Sequence, residues 1–248
     1  MSRIKVPVPY GFVVSAECST EFLAHHPGDQ ELHFRLVDGA GAGSSKDNQA
    51  GDAAIGTVAV EQSGLFSKPF KAELTRYVHQ LERSTGRIFS GGAPSGGADG
   101  ICKVSNPLLL SVRVSCNAVM DGLSESVLNV GLNDALVHSL AAYTGSPRFA
   151  YDTYRRFLQL FAVHVNGVAP GRFTSVVDRI MQERNIRQEL DLTTFDFQQI
   201  VKEFKTISAV PDDPWEQLYS CIAAIYKSWD LPSVSRFRDI HGIPWVGA

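Results

Sequence analysis

The stretch from Asn106 to Asp134, NPLLLSVRVSCNAVMDGLSESVLNVGLND, constrains the fold more than any other part of this chain. Pro107 has no backbone N–H and can only open a strand or sit on its edge. Leu108, Leu109, Leu110 and Val112 then form a short apolar run suited to a buried strand. Arg113 ends that run. A guanidinium does not deprotonate, so at the mouth of a buried strand it is costly unless an anion faces it, and its fork of donors suits a carboxylate or a phosphate. Ser115 to Gly122 is small and polar and closes on Asp121-Gly122, a turn signal. Leu123, Val127 and Val130 recur at helical spacing. The pattern predicts strand, loop and helix, with the arginine beside a helix N-terminus, where anions are stabilised. From local sequence alone a second reading stays open, in which Arg113 pairs with Asp121 or Glu125 and only pins the strand.

At 248 residues and 44% hydrophobic, the chain can bury a sizeable core as one large domain or two small ones. Its formal charge of −3 and scattered arginines and lysines argue against nucleic acid or an anionic membrane as a partner. Cys18, Cys102, Cys116 and Cys221 lie far apart without a CxxC pair, which suggests reduced thiols instead of a zinc site or disulfide framework. No apolar run reaches bilayer length, and Met1 to Lys5 is too short for a targeting segment, so a cytoplasmic location is expected, with an organelle left open.

Taken in order, Ile4 to Ala16 opens extended around its prolines, with Phe12-Val13-Val14 as a short β-run. Residues 38–56 and 90–100 are rich in Gly, Ala, Ser and Asp and read as flexible insertions. The first contains Gly39-Ala-Gly-Ala-Gly-Ser-Ser-Lys46, which lacks the glycine before the lysine that a phosphate loop requires. Pro69 to Arg83 reads as an amphipathic helix burying Phe70, Leu74, Tyr77 and Leu81, with His79 on the surface and Gly86 as its stop. From Asp134 onward the spacing is helical. The expected helices are Ala135 to Tyr143 capped by Asp134, Phe149 to Val165, Phe173 to Arg187, Thr194 to Ser208, and Pro214 to Asp230 capped by Asp213. In the second of these Phe149, Tyr154, Phe157, Leu158, Phe161 and Val165 share the apolar face, and Arg155 and Arg156 read as surface salt-bridging residues. In the last the stripe is Trp215, Leu218, Ile222, Ile225 and Trp229. The tail from Leu231 breaks up at Gly242 and Pro244. A few strands followed by helices argue an α+β fold, divided into a strand-containing part (1–134) and a helical part (135–248).

Hydrolytic and metal chemistry find little support. There is no G-x-S-x-G elbow, Cys116 with His138 is not a pair that spacing singles out, and His25-His26 lacks a further ligand at metal spacing.

Several words of the chain carry a resemblance. Ser111-Val-Arg113, Val127-Leu-Asn-Val-Gly-Leu-Asn-Asp134 and Phe149-Ala-Tyr-Asp-Thr-Tyr-Arg-Arg-Phe157 resemble the nucleotide-binding domain of the pyruvate phosphate dikinases, as do Val6 to Phe12, Asp213 to Leu218 and Lys227-Ser-Trp229. The resemblance implies an ATP-grasp-like fold and use of ATP and Mg2+. It implies a phosphotransferase reaction in which ATP, phosphate and pyruvate give AMP, pyrophosphate and phosphoenolpyruvate. It also makes Arg113 and Gly122 candidates for binding the ATP phosphates, with Met120 and Ser115 as weaker ones. In that family the magnesium ligands, the phosphorylated histidine and the pyruvate-binding barrel come from other parts of the polypeptide, so this chain is expected to be incomplete on its own. Met1 to Lys5 is not expected to supply the family's glycine-rich lysine segment, and a homodimer is left open. Val114-Ser115-Cys116-Asn117 and Met120-Asp121-Gly122 stand where the family has a glycine-containing segment and a Met-Pro-Gly turn. That departure motivates an alternative, a catalytically inactive relative acting as an interaction or regulatory protein.

Overall fold

The computed structural model describes residues 10–14, 18, 22, 66–90, 106–114 and 126–243. Helix α1, Lys68–Thr85, begins where the Ser67 side chain accepts from the Phe70 N–H and ends where Gly86 turns to φ 67°. Its buried seam is Leu74, Val78 and Leu81, with Phe70 and Tyr77 half-buried beside it and His79 exposed. The chain then passes Ile88, which forms a parallel bridge with Pro107 through the Leu108 N–H to Ile88 carbonyl hydrogen bond of 2.9 Å.

Strand β1, Leu110–Arg113, pairs antiparallel with β2, Ser126–Val130. This corrects the expected helix through Val127 and Val130. Leu110 stands opposite Val130 and Val112 opposite Val127, so a step of two residues on β1 is matched by a step of three on β2. The extra residue is accommodated in a bulge near Asn129, which takes a left-handed φ of 62°. A bulge allows residues three apart to face the same side, and Val127 and Val130 are both fully buried. Their helical spacing is therefore produced by an irregular strand. Arg113 stands opposite Ser126, the first residue of β2.

The helices follow without interruption. Helix α2, Asp134–Thr144, is capped by Asn133, whose side chain accepts from the Leu136 N–H; Asp134 is its first residue and not the cap. Gly145 ends α2 at φ 64°. Helix α3, Pro147–His164, buries Tyr154, Phe157, Leu158 and Phe161, whereas Phe149 is exposed in its first turn. Helix α4, Gly171–Glu183, buries Phe173, Val177 and Ile180. A 3-10 turn at Glu189–Asp191 leads to α5, Thr194–Ile207, which opens on a reciprocal cap between Thr193 and Asp196. Helix α6, Pro214–Ser228, has Asp213 as its cap, as expected, and buries Leu218, Cys221, Ile222 and Ile225. Trp215 and Trp229 are only half-buried. The tail holds one more helix, α7, Pro232–His241, ending at Gly242 with φ 63°.

The result is a helical assembly with a two-stranded sheet, an α+β fold. One cluster of buried side chains runs from Leu74 and Val78 of α1 through Val127 and Val130 of β2 to the inner faces of α2 to α6. The Cys221 thiol is fully buried in it, and that burial pushes its pKa up. No described helix is long and apolar enough to cross a membrane.

Arg155 does not lie on the surface. Its side chain is 7% exposed and donates to Asp152 Oδ1 at 2.7 Å and Glu189 Oε2 at 2.9 Å, over the ring of Phe197. Arg148 lies over the same ring and donates to the carbonyls of Leu190 and Leu192 at 2.7 Å each. The two arginines thus fix the turn before α5 to the start of α3. Arg156 keeps its expected place on the surface, paired with Asp152 at 3.1 Å.

Candidate functional site

Arg113 is the last residue of β1, opposite Ser126 at the other side of the hairpin mouth. It is exposed, and no described carboxylate pairs with it. Exposure does not single it out, since Arg83 and Arg87 are exposed as well. Its distinction is that the β1–β2 ladder ends at it. Ser115, Met120 and Gly122 lie outside the described residues, as do Asp121, Glu125 and Cys116. The structure therefore places one of the four sequence candidates, Arg113. His138 packs edge-on against Tyr151, with ring centroids 6.1 Å apart.

The hairpin is held from its opposite end by a residue that the periodicity argument passed over. Gln217 of α6 is 1% exposed. Its Oε1 accepts from the Gly131 N–H at 2.9 Å, and its Nε2 donates to the Leu132 carbonyl at 2.9 Å and the Pro211 carbonyl at 2.7 Å. Gly131 is in turn obligatory, because its φ is 111° and a Cβ there would lie 3.0 Å from the Phe89 ring. The available signal was a polar side chain in register with Pro214, Cys221, Ile225 and Ser228, all buried on α6.

Beyond the turn, Asp134 takes the Tyr154 hydroxyl on Oδ1 at 3.1 Å and the Lys205 ammonium on Oδ2 at 2.5 Å. Burial pushes the Asp134 carboxyl up, but the bonds from Lys205 and Tyr154 outweigh it and hold the group below its ordinary value. Burial, and then the neighbouring Asp134 charge, push the Tyr154 phenol up, so it stays a donor. This trio ties α2 to α3 and α5. Among the described residues no group of three or more His, Cys, Asp or Glu could hold a metal ion.

Comparison with known proteins decides the relationship. A pyruvate, phosphate dikinase from Clostridium symbiosum is 36% identical over 251 residues, which takes in 98% of this chain and 23% of that protein. This chain is a partial, divergent relative of the pyruvate, phosphate dikinases. The dikinase from Rhizobium meliloti (strain 1021) is 32% identical over 75% of this chain and 20% of its own length. The chloroplastic pyruvate, phosphate dikinase 1 from Arabidopsis thaliana is 38% identical over 145 residues, 56% of this chain and 15% of its own. The chain thus spans less than a quarter of the length of these curated dikinases. No family model matches it.

Proposed function

We propose that this chain is the ATP-binding, N-terminal portion of a pyruvate phosphate dikinase, an ATP-grasp-like unit that depends on further domains to run the complete reaction. The observation that carries the reading is the placement of Arg113: an exposed, permanently charged fork at the end of a strand, with no described carboxylate neutralising it. In phosphoryl transfer the transition state spreads negative charge over equatorial oxygens, so a fixed cation that orients and neutralises those oxygens supplies much of the acceleration. Arg113 would hold the phosphates as a bidentate donor. Gly122 would let the loop backbone approach them, and Ser115 and Met120 would line the approach. Magnesium would neutralise the same oxygens, and among the described residues no group of three or more His, Cys, Asp or Glu could hold it.

Isothermal titration of the chain with magnesium-ATP tests this. Saturable binding that weakens by about tenfold or more in Arg113→Ala, while thermal unfolding stays unchanged, is the expected result. Binding that ignores the substitution would remove Arg113 from the site. A second reading has support from Val114, and from Asp121 in the loop sequence, since a bulky residue and an added carboxylate disfavour a phosphate cradle. In that reading the chain is an inactive relative that acts through protein contacts, and absence of any magnesium-ATP binding favours it.

A further inference from the structure

We infer that Gln217 is a positioning residue, whose side-chain amide sets the pose of the β1–β2 hairpin and through it the place of Arg113. The inference rests on the proposed nucleotide role of Arg113 and adds the element that aims it. The amide is oriented without ambiguity. Its nitrogen faces two carbonyls, of Leu132 and Pro211, and its oxygen faces the Gly131 N–H, so a flipped amide would set oxygen against oxygen. The three backbone groups it serves belong to different parts of the fold. Gly131 and Leu132 follow β2 directly, and Pro211 lies in the approach to α6. A two-stranded ladder is marginally stable alone, so what holds its Leu110–Val130 end to α6 decides where its other end points. Arg113 stands at that other end, paired with Ser126. The same turn is fixed by Phe89 against Gly131 and, one step on, by the Asn133 amide donating to the Asp212 carbonyl at 2.9 Å. Both contacts bind the turn to its neighbours, but Gln217 alone of these joins its backbone to α6 from inside the core.

Gln217→Met keeps length and bulk and removes all three hydrogen bonds, and Gln217→Asn keeps the amide but shortens its reach. Two measurements on the full chain separate the claims. Amide hydrogen exchange at Val112 and Val127 should rise by about tenfold or more in Gln217→Met, while exchange in the α3 and α5 cores changes little. Magnesium-ATP affinity should fall in Gln217→Met, and in an Arg113→Ala background the same substitution should have no further effect. Unchanged hairpin exchange, or an equal rise throughout α3 and α5, overturns the clamp. An affinity loss of equal size with and without Arg113 overturns its action through that residue. If the wild-type chain binds no magnesium-ATP, the proposed function fails, and with it the service to Arg113; the exchange result still decides whether the clamp exists.

Discussion

Arg155 and Arg113 both occur in words shared with the dikinases, and the fold uses them in opposite ways. Arg155 is spent on the protein itself: Asp152 and Glu189 take its donors, Phe197 takes its face, and the turn before α5 is fixed as a result. Arg113 closes a strand, faces solvent and has no described carboxylate. Similarity in sequence thus does not distinguish an arginine needed for packing from one able to meet a ligand. What distinguishes them is whether acids elsewhere in the chain fold back onto the guanidinium. Glu189 does so from a distant turn, where it could not be paired with Arg155 by spacing.

The contrast can be broken by substitution, and the largest effect should come from the helical side. Arg155→Met should lower unfolding free energy by about 2–3 kcal/mol in urea titration, because a buried ion pair is broken. That sits below the full penalty for such a break, since Glu189 is half-exposed and Asp152 keeps Arg156. A cost below about 0.5 kcal/mol would place Arg155 in the same class as Arg113. Next in size, Gly131→Ala should cost about 1–3 kcal/mol in the same titration, since an alanine must adopt φ 111° and push against Phe89. Asp196→Asn should cost about 1 kcal/mol by weakening the reciprocal cap of α5.

Asp196 also gives the helical region a pH signature. Burial pushes its carboxyl up, but the Thr193 hydroxyl and N–H and the Arg184 charge outweigh that and hold the group below the ordinary 3.8. A carboxyl lowered by folding stabilises the native state above its unfolded pKa, and that contribution is lost as pH falls through the folded one. Stability should therefore drop as the pH is taken from about 5 towards 3, and Asp196→Asn should flatten the drop. The smallest effect belongs to Arg113→Ala, expected to change unfolding free energy by less than about 0.5 kcal/mol. A larger loss would mean that Arg113 too is held by the fold.

The helices were legible because their caps and apolar stripes are local. Asp213 stands directly before α6, and Leu74 with Leu81 or Phe157 with Phe161 repeat at helical intervals. The hairpin was not legible, because the bulge at Asn129 sets Val127 and Val130 three apart and so imitates that interval. Phe149 was misplaced for the opposite reason. Its position in the first turn of α3 fits the stripe, but among the described residues none covers it. Of the candidate site, the strand end carrying Arg113 could be read from an apolar run that stops at a cation. Gln217 shows only as a polar side chain on the buried register of α6, and the three main-chain groups it serves lie on segments that spacing does not connect to it.

The buried cysteine of α6 turns this chain into its own clock. A thiol reacts with alkylating agents as the thiolate, and at position 221 the surrounding core both hides the sulfur and keeps it protonated at neutral pH. Modification at that position, read by peptide mass, must wait for α6 to separate from the helices packed on it. Its half-time in excess iodoacetamide would time how often the interior opens.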